Sequence, residues 1–179
     1  MLATAFLVGA ALAADTPPPE DQCAKGPVSE IPDTVRKRTD EQTGITWYSD
    51  QSSPERVNED AFYLYAGKKA CDAWLRLRIQ YVSEKPLSIA RLVIKADDKT
   101  FELPDPHFKR DSDGKLNWHW FDEKVTTDHL VMLFTLTAAR NAVLRFIGAT
   151  RSEERTIPQR EKDALKSALS VYTALGGKL

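Results

Sequence analysis

The chain has 179 residues, 42% of them hydrophobic and 28% charged, which is enough for one domain with a packed core and too little for two. Lys and Arg number 25 and Asp and Glu 26, a net charge of −1. No excess of either sign points to nucleic acid or to an anionic membrane surface.

Met1 to Ala14 holds no charged residue, and Leu2 to Leu12 is almost continuously apolar. Ala11-Leu12-Ala13 is a small-x-small tripeptide just ahead of Ala14-Asp15. An apolar core of this length ending in such a tripeptide predicts a signal peptide over residues 1–13, although no Lys or Arg precedes it. The run is too short to span a bilayer, which takes about 20 apolar residues. No later stretch is long and apolar enough to do so.

The chain has 2 cysteines, Cys23 and Cys71. An even count in an exported chain predicts a disulfide between them. On the chain-entropy argument that closure stabilises the fold by about 3–4 kcal/mol. Cys23 follows Glu20-Asp21-Gln22 rather than the apolar, small-residue motif of a lipidation site.

Residues 14–43 read as a flexible, Pro-rich tether. Thr16-Pro17-Pro18-Pro19-Glu20-Asp21 is stiff and polar, and Pro27 and Pro32 follow. Such composition buries too little apolar surface to offset its ordering entropy. Arg36-Lys37-Arg38 within it reads as a solvated basic patch.

The expected domain is 44–179. Ile45-Thr46-Trp47-Tyr48 and Ala61 to Ala66 are β-branched, apolar and aromatic, as strands are. From Trp74 to Val82 a strict alternation sends Leu75, Leu77, Ile79 and Tyr81 to a core and most of the residues between them to water. Glu84-Lys85-Pro86 is a turn, Leu87 to Ala96 another strand, and Asp97-Asp98-Lys99 a turn into Thr100 to Leu103. The three runs predict an antiparallel meander.

Residues 104–116 read as a polar loop turning at Asp113-Gly114, and Asn117 to Phe121 as a further strand. Thr127-Asp128 opens a short helix in which Leu130, Leu133, Phe134, Thr137 and Ala138 recur at three- and four-residue spacing. Ala142 to Ile147 reads as a strand closed by Gly148. The terminal helix is the plainest element. Thr156 is its expected N-cap, with Pro158 in the first turn and Gln159 completing a capping box. Leu165, Ala168, Leu169, Tyr172 and Leu175 form its apolar stripe, and Gly176-Gly177 its stop. The fold class expected is α+β: an antiparallel meander packed against a C-terminal helix, with a second short helix.

Chemistry-bearing motifs are sparse. His107, His119 and His129 lack the i, i+4 spacing of a zinc helix, and the cysteines form no C-x-x-C. Asp111-Ser112-Asp113-Gly114 opens like a calcium loop, but its Gly comes too early and the closing Glu is missing. There is no G-x-S-x-G elbow and no Gly-rich phosphate cradle. We therefore expect no metal, no cofactor and no catalytic residue.

What stands out is aromatic density near loops: Trp47-Tyr48, Trp74 and Trp118-His119-Trp120-Phe121. Exposed Trp and Tyr are effective contact anchors. Trp118, His119 and Trp120 are thus candidate contact residues, with Arg76 and Arg78 projecting from the best strand as a basic face for an acidic partner. A buried two-sided strand, and arginines paired with neighbouring acids, explain the same residues without any partner.

The segment Arg145-Phe146-Ile147-Gly148, Arg155-Thr156-Ile157-Pro158, Glu161 to Leu165 and Tyr172, together with Trp118-His119-Trp120, resembles a pattern in small exported bacterial proteins of unassigned function. It covers the last third of the chain. It implies a β-sheet body closed by a helix and transfers no catalytic residue. The expectation is a periplasmic or secreted, non-enzymatic module that binds a protein of the cell envelope, such as a toxin or enzyme it neutralises. A small envelope hydrolase and a structural or assembly factor are the alternatives.

Overall fold

The computed structural model describes residues 31–103 and 106–179. The predicted signal peptide, Cys23 and most of the expected tether lie outside the described residues. Ten strands and two helices follow in chain order: β1 (Val35–Asp40), β2 (Ile45–Asp50), β3 (Ala61–Lys69), β4 (Asp72–Ser83), β5 (Ile89–Ala96), β6 (Lys99–Leu103), β7 (Lys109–Ser112), β8 (Asn117–Lys124), α1 (Thr127–Ala138), β9 (Ala142–Gly148), β10 (Ser152–Thr156) and α2 (Gln159–Ala174). The strands form two antiparallel sheets. The larger has the order β1-β2-β3-β4-β8-β7 and the smaller β10-β9-β5-β6. The α+β class with a meander and a C-terminal helix is therefore what the chain adopts.

Alternation builds the core. Leu75, Leu77 and Ile79 of β4 lie opposite Ala66, Leu64 and Phe62 of β3, and all six are buried. Leu92 and Ile94 of β5 lie opposite Phe146 and Leu144 of β9 in the smaller sheet, and these too are solvent-free. The sheets meet at Tyr81 and Phe146, whose ring centroids are 4.6 Å apart, and at Phe108, which touches Phe121 and Phe146. Leu165, Ala168 and Leu169 of α2 join the same cluster and lie over β3. Each fully buried Phe or Leu contributes about 1.5–3 kcal/mol, so the inner face of the larger sheet is fixed firmly. Its outer face is left to other duties.

Several expected boundaries move. The tether does not reach residue 43, because Val35–Asp40 pairs with β2 from Val35↔Asp50 to Asp40↔Ile45. Its basic residues suit the position, since β1 is an edge strand and charge protects an edge from further pairing. The meander is β1 to β4, not Trp74 to Leu103. β4 is already paired on both sides, by β3 and β8, so β5 and β6 cross to the second sheet. The 104–116 loop contains β7, which pairs with β8.

The helices differ in detail. The buried face of α1 is Met132, Leu133 and Leu136, one position round from the expected stripe, and Phe134 stays 47% exposed. Thr126 caps α1, accepting from His129 N while His129 Nδ1 accepts from Thr126 N. Thr156 does not cap α2; it ends β10, and Pro158 is the N-cap without a side-chain bond. The Gly stop is as expected. Gly176 has φ +93°, and Gly177 N and Gly176 N donate to Tyr172 O and Thr173 O. That is a Schellman closure, which needs a left-handed residue at Gly176.

Candidate functional site: an arginine and aromatic sheet face

The residues that alternate with the core of the larger sheet share its outer face. Tyr63 and Tyr65 of β3 lie opposite Arg78 and Arg76 of β4, and Gly67 lies between Trp47 and Trp74. Asp122, Trp120 and Trp118 of β8 lie opposite Arg78, Gln80 and Val82. Arg36 and Arg38 of β1 flank Ser49 and Trp47. The tyrosines, the tryptophans, Arg76 and Arg78 are all half-buried. Arginines and aromatics occupy a face where a solvated strand ordinarily carries Thr, Lys and Glu.

The aromatic part is tightly arranged. Trp47 meets Trp74 edge-on at 5.7 Å and Tyr65 at 5.4 Å, and Tyr65 meets Tyr63 at 6.1 Å. Gly67 makes this possible. A Cβ there would stand 2.5 Å from Trp74 Cζ2 and 2.7 Å from Trp47 Cζ3, so the two indoles cover the bare glycine backbone.

The charged part is organised by Asp122. Its carboxylate accepts from the Tyr65 hydroxyl at 2.8 Å, from Arg76 Nε at 2.7 Å and from Arg78 Nη1 at 3.0 Å. Arg76 Nη2 also donates to Asp122 O at 2.9 Å. Burial, and then the adjacent Asp122 charge and hydrogen bond, push the Tyr65 phenol far above its ordinary value. Burial likewise raises Tyr63. Both phenols therefore stay protonated donors at neutral pH. Two guanidiniums share one carboxylate, and Arg78 Nε is buried without a hydrogen-bond partner. Gln80 Oε1 and Trp118 Nε1, further along the same face, are also buried without one. Such atoms are uncommon in native proteins, where about 90% or more of buried polar groups are paired.

A groove of about 760 Å³ lies over this face, between the β1–β2 turn and Pro54–Glu55, lined by Arg36, Trp47, Tyr63, Tyr65 and Arg78 among others. Its volume falls within the range of ligand clefts, about 300–1,000 Å³. Of the three described acids along it, Glu41 is exposed and the other two are engaged. Asp40 accepts from Gln42 N and Thr43 N, and Glu55 pairs with Arg36 at 3.4 Å. Arg36 also ties down the 51–53 segment through Gln51 O and Ser53 O.

The expected contact residues divide between the two faces. Arg76, Arg78, Trp118 and Trp120 are on the outer face, the arginines clamped to Asp122. His119 points the other way, is 4% exposed, and packs beside Tyr81 at 6.2 Å. Burial, and then Arg110, hold its imidazole below the ordinary value. Its Nε2 is occluded and has no partner. A second cavity of about 310 Å³ adjoins His119, Ser88, Arg110 and Asn117.

Trp47, one of the aromatics that stand out in the sequence, completes the outer face with Tyr63, Tyr65 and Asp122, and these last three are not legible as site residues. Ala61 to Ala66 is apolar or aromatic at every position, so nothing in it marks which tyrosines face out. Among the described residues no three His, Cys, Asp or Glu gather as a metal site. The Asp113 carboxylate is instead turned onto Lys115 N and Leu116 N. Cys71 is not a free thiol. The Cys23–Cys71 pairing itself involves a residue outside the described ones.

Fold and face together define a two-sheet α+β protein with one packed face and one open, cation- and aromatic-bearing face on its larger sheet. Compared with known proteins, the chain matches no family model, no curated protein and no solved structure. Among the described residues no helix is long and apolar enough to cross a membrane.

Proposed function

We propose that this chain is an exported, non-enzymatic protein-binding module of the cell envelope, periplasmic or secreted, and that the outer face of the larger sheet is its contact surface. One observation carries the reading. Four tryptophans, two tyrosines and two arginines are held half-buried on the outward side of a sheet whose inward side already supplies the core. Trp, Tyr and Arg are the residues that dominate binding energy at protein interfaces. Rigid aromatics bury large areas at small entropic cost, and the Asp122 clamp holds the arginines ready before any partner arrives. The predicted signal peptide and cystine fit an envelope location.

Affinity capture from envelope extract tests this. The intact chain is expected to recover one stoichiometric protein partner, and Trp47→Ala to lose it. Recovery of no stoichiometric partner, or of the same partner by Trp47→Ala at undiminished yield, would overturn the reading.

A further inference from the structure

We infer that the groove on the outer face takes an extended acidic peptide segment, with one of its carboxylates seated on Arg78. The inference rests on the protein-binding reading and names the chemistry of the partner.

The argument is one of complementarity. Arg78 lines the groove with Nη1 committed to Asp122 and Nε buried and unpaired. A guanidinium presents a planar fork of donors that fits a carboxylate bidentately. Asp122 serves two guanidiniums and a phenol at once, so this cluster has more donors than acceptors. Among the described residues, no acid that lines the groove is paired with Arg78. Asp40 caps its own turn, Glu55 holds Arg36, and Glu41 sits exposed in the β1–β2 turn. Tyr63 remains protonated and adds a donor, not charge, while the Tyr65 proton is already given to Asp122. An incoming carboxylate answers this surplus, and an uncharged ligand leaves Arg78 as it is.

The groove's shape favours an extended chain. It opens over β1, the edge strand of the sheet. The Trp47, Tyr65 and Tyr63 rings stand in a row along it at 5.4 and 6.1 Å spacings. Apolar side chains of the segment lie on this row while its acids reach the arginines. Residues two apart share one side of an extended segment, so a repeating Glu-Ser-Tyr-Ser pattern turns both its acids and its rings toward this face.

The test uses the purified full chain and an end-blocked, fluorescently labelled peptide repeating Glu-Ser-Tyr-Ser, read by anisotropy. The matched peptide with Gln for Glu is the control. Micromolar binding of the Glu peptide is expected, weakening as salt rises, with no binding of the Gln peptide. Arg78→Lys keeps a charge beside Asp122 but removes Nε and the fork, so it weakens the peptide by about tenfold. Circular dichroism confirms that this variant folds. Tyr63→Phe, which leaves the Asp122 cluster intact, is a second variant expected to bind more weakly.

Equal binding of the two peptides, or full binding by Arg78→Lys, overturns the inference. So does binding of polygalacturonate with none of the Glu peptide, which would make the occupant an acidic sugar. Binding of the peptide only in the full chain carrying Glu20→Gln and Asp21→Asn would make the occupant the chain's own acidic segment. A partner captured from extract by Arg78→Lys but not by Trp47→Ala would remove the carboxylate assignment and leave the protein-binding reading standing.

Discussion

Replacing Asp122 with Asn is the most informative single perturbation of the outer face. The carboxylate is 15% exposed and holds Arg76 and Arg78, themselves 30% and 19% exposed, together with the Tyr65 hydroxyl. Hydrogen bonds to charged groups contribute about 1.5–3 kcal/mol each when isolated, but the three share one acceptor and do not add. Breaking a fully buried pair costs about 3–5 kcal/mol and an exposed one about 0–1 kcal/mol. Partial exposure places Asp122→Asn between them, at about 2 kcal/mol. In a domain of this size that lowers Tm by about 4–8 °C. The same change removes a charge that raises Tyr65, so the phenol titrates at lower pH in the variant, though still above its ordinary value because burial is the larger cause. Urea and thermal unfolding measure the first effect, and ultraviolet difference titration of tyrosinate the second. A Tm within a degree of the parent, with unchanged tyrosine titration, would refute the view that Asp122 organises this face.

Gly67→Ala places a methyl group against the Trp47 and Trp74 indoles. Overpacking of this kind costs about 1–3 kcal/mol, and the variant is expected to show both a lower urea midpoint and weaker partner capture. Lys162 is 3% exposed and donates to Ala139 O at 2.8 Å and Arg140 O at 3.0 Å, closing the C-terminal end of α1 from α2. Lys162→Met leaves those carbonyls unanswered and removes a cation from a helix C-terminus, a loss of about 1–3 kcal/mol by chemical denaturation. Burial depresses both His119 and His129. The unfolded chain therefore takes up protons first as pH falls below about 6.5. The stability they contribute is complete above that pH and declines as pH drops toward the folded values. His119→Phe is expected to shrink the Tm difference between neutral and mildly acidic buffer, and an undiminished difference would contradict the assignment.

The elements that were legible in sequence are those where one period dominates. β4 shows its Leu75, Leu77, Ile79, Tyr81 alternation openly, and all four are buried. The α2 stripe from Leu165 to Leu175 and its Gly176 stop were equally plain. What the sequence concealed was set by neighbours far away in the chain. Val35–Asp40 carries too much charge to read as a strand and becomes one by pairing with β2. Nothing local tells β5 to leave β4, because that choice follows from β8 occupying the free edge of β4. The α1 face lies one residue round because Met132 and Leu136, not Phe134, meet the core.

The candidate site was half legible for the same reason. Alternation alone places Arg76 and Arg78 on an outward face, where pairing with an acid on a neighbouring strand is one of the two expected outcomes. That the acid is Asp122, 46 positions from Arg76, and that Tyr65 joins them, follows from the β3-β4-β8 register. Trp118, His119 and Trp120 looked like one cluster in sequence, yet a strand sends adjacent residues to opposite faces. His119 therefore belongs to the core side and the two tryptophans to the outer side.

Site-specific photo-crosslinking in the producing cell tests the account most directly. A benzoyl-phenylalanine at Tyr63, on the outer face, is compared with one at Lys95, exposed on the smaller sheet. The account predicts a discrete adduct with a single protein from position 63 and none from position 95. No adduct from either position, or the same adduct from both, would contradict it.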